Sequence, residues 1–259
     1  MMEYQEIKAV NNSGLSLLKR CPELYKRQVI DGIIEEREET EAMALGSLVH
    51  CLLLEPEKVD ERYAVAPICD RRTKEGKAIW ADFSERMNGQ TVLKQETFDE
   101  AVCIAAGLFC NETASQLLNA KAYKELTLTF DWDGTPCKSR LDYLSANAGI
   151  IFDIKTTQNA HPDEFAKSVA SFGYHRQAAF YRQAVKACYG TDPRFLFGVV
   201  STQYPYLAAV HELDEHALGV GKLEVEILLE ELKQRTAAND WRSSFTEGIN
   251  VISLPKWYV

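Results

Sequence analysis

Paired cysteine motifs are missing from this chain. Its seven cysteines are scattered at Cys21, Cys51, Cys69, Cys103, Cys110, Cys137 and Cys188, and no two stand as Cys-x-x-Cys. Neither a zinc knuckle nor a disulfide framework is therefore indicated, and reduced thiols in a cytoplasmic protein are the simple reading. Long apolar runs are also lacking. The opening residues MMEYQEIKAV hold no apolar core of signal-peptide length. The longest apolar stretch, LGSLVHCLLLE, is well short of the roughly 18 residues that a membrane span needs, so no membrane partner is expected. No GxxxxGK[ST] loop occurs, so ATP is not expected as a cofactor. Internal repeats, low-complexity tracts and Pro/Gly/Ser linkers are absent as well, and residues 1–259 read as a single domain. A basic excess is the last absence. The formal net charge of −9 argues against an extended nucleic-acid surface. It does not exclude a local one, because a carboxylate-rich metal site adds negative charge and cations can still gather in one place.

What is present is an ordinary globular composition, 46% apolar and 26% charged, in a chain long enough to bury a substantial core. The front half, 1–122, reads as mostly helical. A helix is expected over 11–29, capped by Ser13 or Ser16, and another over 36–56 with an acidic start and an apolar body that ends at Pro56. Residues 65–83 carry Arg71, Arg72, Lys74 and Lys77 within seven positions, either a solvated loop or a phosphate-contacting cluster. One or two further helices fit 95–122.

The pattern then changes to period two. KELTLTF, TPCKSRLDYL and IIFDIKT are three short strands separated by the turns DWDG and SANAG, an antiparallel meander. A helical stretch over 163–189 ends at Gly190, a suitable C-cap. RFLFGVVST reads as a central strand, YLAAVHEL as a peripheral one, and 214–238 as an amphipathic helix with Leu213, Leu218, Leu223, Ile227 and Leu232 among its apolar positions. The sheet core thus spans 123–213 and the C-terminal helix and tail 214–259. The class is α/β, a central mixed sheet flanked by helices with a helical N-terminal embellishment.

Side chains alternate along a strand, so Ile150, Phe152 and Ile154 share one face while Ile151, Asp153 and Lys155 share the other. The first set is expected to feed the core and the second to face an open site. On the preceding strand Arg140 and Asp142 share a face, and a short hairpin sets Asp142 beside Asp153. Two carboxylates held together repel unless a cation or a shared proton offsets them, and magnesium or manganese suits such an oxygen site. A lysine beside that metal could orient or help deprotonate a water, or stabilise developing negative charge. An Asp–Lys ion pair at a strand end is the structural alternative. His50 lies one helical turn after Gly46, where a missing side chain admits close approach; a core histidine is the bland reading. Gln177 and Tyr181 share a helix face at i and i+4. Glu125 is either a further acidic ligand or surface charge.

GSLVH (46–50), RLDYL with Asp142, FDIKT with Asp153 and Lys155, and QAAFY (177–181) occur in the order seen in PD-(D/E)XK nucleases of the RecB-like group. The chain resembles, more closely, the exonuclease VIII (RecE) group of nuclease domains, through NNSGLSLLKRCPELY, GSLVHCLLLEPEK, VAPICDRRTKEGK, FDIKTTQ and the terminal ISLPKW. The resemblance implies a PD-(D/E)XK restriction-endonuclease-like core and an ATP-independent, Mg2+-dependent exonuclease in which Mn2+ could substitute. Linear duplex DNA would be degraded 5′ to 3′ in a bacterial host cell, leaving 3′ tails for a single-strand annealing protein in phage recombination. It implies Asp142, Asp153, His50, Glu125 and the Ile154 carbonyl as metal ligands, Lys155 on the water, and Gln177 and Tyr181 holding the lysine, the water or the strand. DNA contacts are expected from Arg71, Arg72, Lys74, Lys77, Arg140 and Arg176, and a homo-oligomer, ring-shaped as trimer or tetramer, is expected. No cysteine follows Cys188, so the iron–sulfur cluster of some relatives is not expected here. Other PD-(D/E)XK endonucleases and a non-catalytic DNA-end-binding module are the alternative readings.

Overall fold

Proline and left-handed residues cut the expected helices into shorter pieces. Asn11, rather than Ser13 or Ser16, caps the first helix, its Oδ1 accepting the Gly14 amide at 2.7 Å. That helix, α1 (Asn12–Arg20), stops before Pro22, which lacks the amide a continuing helix requires and instead opens the single turn α2 (Pro22–Tyr25). A π-helical turn, Lys26–Ile30, follows. Next, α3 (Glu41–Leu54) is capped by Thr40, whose hydroxyl accepts the Met43 amide at 3.2 Å. In this computed structural model residues 4–33, 40–87, 89–246 and 248–254 are described, so most of the acidic start expected for α3 lies outside them.

The front half continues with α4 (Val59–Arg62), β1 (Tyr63–Val65), α5 (Lys74–Arg86), β2 (Thr91–Leu93), α6 (Gln95–Phe109) and α7 (Glu112–Asn119). Three-residue strands β1 and β2 pair in parallel as a small sheet that periodicity could not have revealed at that length. Much of the expected loop at 65–83 is α5, a helix whose only buried residue is Gly76.

The central sheet comes from the second half: β3 (Ala122–Trp132), β4 (Thr135–Ser145), β5 (Ile150–Thr157), β6 (Arg194–Ser201) and β7 (Ala208–Glu212), in spatial order β3-β4-β5-β6-β7. Asp133 (φ 48°) and Gly134 (φ 79°) form a two-residue turn between β3 and β4, so both strands run further than alternation implied. β5 and β6 are parallel and the other pairs antiparallel. Parallel neighbours need a crossover, supplied by α8 (Pro162–Phe172) and α9 (Tyr174–Tyr189). One helix was expected there; Gly173 (φ 69°) breaks it in two, while Gly190 (φ 69°) closes α9 as expected. The last helix is α10 (Glu215–Ala238).

Helices cover the sheet on both sides. Phe152 and Ile154 pack in one core with residues of α3 and α6, whereas Ile151 and Phe197 pack in a second with residues of α9 and α10. The expectation of one buried and one open face for β5 is therefore corrected: Asp153 is only 1% exposed. Leu223 and Ile227 of α10 are also corrected. Each is 57% exposed, because the helix buries Leu218, Val225, Leu228, Leu229 and Leu232 instead.

Arg176 was expected to contact DNA, yet it is 3% exposed and committed inside the protein. Its guanidinium pairs with Glu224 of α10 at 3.1 Å and donates to Ser16 Oγ at 2.6 Å and Asn12 Oδ1 at 3.2 Å. It thereby ties α9 to both α1 and α10. Removing one partner of a buried pair leaves the other polar groups unsatisfied. Arg176→Ala should lower the unfolding free energy in urea by about 3 kcal/mol; a loss within error would show that this clamp does not hold the helices.

Candidate active site

Strands β4 and β5 pair only briefly, at Tyr143–Phe152 and Leu144–Ile151. Continuing that register sets Asp142 opposite Asp153, but the ladder has ended. In place of a backbone carbonyl, the Asp142 Oδ2 accepts the Ile154 amide at 2.8 Å. A side chain thus replaces a ladder bond, and the strands fork.

The same level is irregular on β3. Lys124–Tyr143 and Leu126–Leu141 are paired, yet Glu125 and Asp142 between them are not. Glu125 has φ 48°, left-handed backbone that a non-glycine residue adopts only at a cost. On β4, Leu141 and Leu144 reach the same core although they are three positions apart, an odd offset, so simple alternation fails at Asp142. No periodicity argument could have located this kink.

At the fork the acidic groups meet cations. The buried Asp153 Oδ2 lies against the Lys155 ammonium as an ion pair, yet no hydrogen bond is aligned on that oxygen. Gln177 Nε2 donates to Asp153 Oδ1 at 3.0 Å, and Tyr181 in turn hydrogen-bonds Gln177. Gln177 therefore holds the carboxylate, not the lysine. His50 Nδ1 is 3.5 Å from Asp142 Oδ2. Gly46, on the same helix, sits across from Thr156, where a Cβ would meet Oγ1 at 3.4 Å, ordinary contact rather than a forced close approach.

Burial raises the pKa of Asp153, with the Asp142 charge adding to it and the Lys155 charge opposing. Burial alone would lower that of Lys155, but Asp153 and Asp142 more than offset it and hold the ammonium above its usual value. Burial likewise raises Tyr181. Glu125 is raised by burial and by Asp142, while Arg140, paired with it at 3.0 Å, works the other way.

Tyr174 escaped the sequence reading. The Lys155 ammonium stands 4.8 Å above its ring centroid, and the ring is wedged among Phe165, Phe172 and Phe197. Its signal was available: Tyr174, Gln177 and Tyr181 recur at i, i+3 and i+7 on one helix face.

Of the expected DNA contacts, Arg71 stacks on Trp80 at 4.1 Å and Arg72 is almost fully exposed. Lys74 and Lys77 lie at the start of α5, and among the described residues no ion pair joins these four cations to the fork. Arg140 is half exposed, between Glu125 and the Tyr4 ring.

Among the described residues no three His, Cys, Asp or Glu side chains gather as a ready-made metal cage. Their polar atoms are turned onto Lys155, Arg140, Gln177 and the Ile154 amide instead. The donor set nevertheless fits a hard divalent cation: the Asp142 and Asp153 carboxylates are near enough for the Asp142 charge to act on Asp153. Asp142 and Asp153 would hold it, with His50, Glu125 and the Ile154 carbonyl as the further groups within this level of the fold.

The left-handed Glu125 generates a stability prediction. Only glycine relieves that conformation, so Glu125→Gly should be more stable than Glu125→Ala by about 1 kcal/mol in thermal unfolding. Equal stabilities would mean that Glu125 carries no backbone strain.

Comparison with solved structures finds the same fold in a "Putative exonuclease" from Eubacterium rectale, with TM-score 0.60 and 18% identity over 86% of this chain and 80% of that one. SSO0001 matches at 15% identity over 83% and 84% of the chains, but with TM-score 0.29. No curated protein matches. The family model described as a "PDDEXK-like domain of unknown function (DUF3799)" matches residues 12–253. With nearly its whole length so matched, and with paired aspartates and a lysine at the strand fork, the chain belongs to this PDDEXK-like family.

Proposed function

We propose that this protein is a metal-dependent nuclease that hydrolyses phosphodiesters of linear duplex DNA from the 5′ end, without ATP, and leaves 3′ single-stranded tails. The observation that carries the reading is the fork itself, where Asp142, Asp153 and Lys155 converge. The PDDEXK-like family and the fold shared with a protein described as an exonuclease support it. Polarity, the end requirement and a role in phage recombination beside a single-strand annealing protein rest on the sequence resemblance to the exonuclease VIII group, as does the homo-oligomeric ring.

When bound, magnesium or manganese supplies a Lewis acid that activates a water and offsets charge on the phosphate. The chain's own groups divide the remaining work. Asp142 and Asp153 provide the negative cradle, and Gln177, backed by Tyr181, keeps the Asp153 carboxylate from rotating. Lys155, paired with Asp153, is placed to orient the water or to stabilise charge developing on the scissile phosphate. His50 stands beside the same Asp142 oxygen that accepts the Ile154 amide.

Incubation with end-labelled linear duplex in Mg2+ should release label progressively from 5′ ends, and covalently closed circles should survive. Cutting of closed circles would replace the exonuclease reading with an endonuclease. Lys155→Ala should lower the rate at least about 100-fold with the fold retained by circular dichroism; wild-type rates would remove Lys155 from the site. Addition of EDTA should stop digestion, and undiminished activity there would remove the metal.

A further inference from the structure

One large cavity has a different location from the fork. It is an open cleft of 1560 Å3 bounded by the N-terminal strap, α1, the start of β4 and the α8–α9 corner. That volume exceeds the roughly 300–1,000 Å3 of small-molecule pockets. Among its described lining residues Lys19 and Arg176 are both paired with Glu224, and Asp31 with Lys26, while Lys8, Arg20 and Lys138 have no carboxylate partner among the described residues. Lys8 and Arg20 are exposed there, and neither has an ion-pair partner among the described residues. On its floor Lys138 is 6% exposed, and its ammonium is met by the Tyr4 and Ile7 carbonyls, at 2.8 and 2.7 Å, and by the Tyr4 ring at 4.5 Å. Among the described residues no carboxylate pairs with it. At the lip stands Phe172, an aromatic side chain 65% exposed at the end of α8.

The cleft reaches the fork at two points. Its lining residue Gly173 is followed by Tyr174, the ring beneath Lys155, and Phe172 touches that ring at a centroid distance of 5.6 Å. Arg140, which holds Glu125 at the fork, shares the Tyr4 ring with Lys138. A positive groove with an exposed aromatic at its edge suits a backbone of phosphates carrying stackable bases.

We infer that this cleft binds a single DNA strand leading to or from the fork, with Lys8 and Arg20 on its phosphates and Phe172 stacked on a base. The inference rests on the nuclease reading for the identity of the ligand, and it assigns a binding role to residues outside the candidate catalytic group. The Lys138 ammonium adds positive charge beneath the strand, and its bonds to the Tyr4 and Ile7 carbonyls tie the N-terminal segment to β4.

Fluorescence anisotropy tests it, with a 5′-labelled 12-nucleotide single strand in EDTA so that no hydrolysis intervenes, over a series of salt concentrations. Lys8→Ala/Arg20→Ala should weaken binding and reduce the magnitude of the log–log salt slope by roughly 1.4, two phosphate contacts for a single strand. Phe172→Leu, which keeps an apolar contact to Tyr174 but removes the stacking surface, should weaken binding roughly 5-fold or more with the slope unchanged. Unchanged affinity and slope in all variants would overturn the inference, even where the wild-type protein digests linear DNA. If instead the wild type digests no DNA in Mg2+ and the variants still lose strand binding as described, the cleft assignment stands and the nuclease reading fails.

Discussion

The Ile154 amide donating to the Asp142 carboxylate is the contact on which the site depends. An antiparallel pair would ordinarily continue past Tyr143–Phe152, and a continued ladder would leave Asp142 and Asp153 side by side on a closed sheet. Substituting a side-chain acceptor for a backbone one satisfies the Ile154 amide while the strands part. Glu125 makes the corresponding adjustment on β3, where left-handed backbone takes it out of the ladder at the same level. Glu125, Asp142 and Asp153, from three adjacent strands, thereby stand at one level of a sheet that is otherwise covered on both faces.

Such a concentration of negative charge in a buried setting is tolerable only with compensation. Lys155 supplies most of it for Asp153, Arg140 does so for Glu125, and hydrogen bonds from Gln177 and the Ile154 amide add partial positive charge. A divalent cation is the chemically natural addition where two such carboxylates adjoin. The acidic balance of the whole chain and the cationic lining of the cleft beside the site are then compatible, because charge is sorted by location.

Much of this was legible in the residues. Asp153 and Lys155 stood out because charge interrupts an apolar run, and Gln177 with Tyr181 because helical spacing places them together. The three-strand meander and the two later strands followed from period-two and apolar stretches with short turns. What stayed hidden depended on partners distant in sequence. Arg176 looks like a free cation beside the site until Glu224, 48 positions away, is seen to bury it. Tyr174 gained meaning only when β5 brought Lys155 above its ring. The break at Gly173 and the kink at Glu125 are backbone events that leave periodicity undisturbed; β1 and β2 are too short to show one. Alternation also misplaced the open side of β5, since both faces of a sheet between two helical layers are core.

Metal binding to the fork tests the account most directly. Titration of the purified protein with Mn2+ by calorimetry should reveal binding that Asp142→Asn and Asp153→Asn each abolish, while Arg176→Lys, in the internal clamp, leaves it intact. Binding that survives both aspartate substitutions undiminished would show that the carboxylates at the fork form an internal ion-pair network and not a metal site.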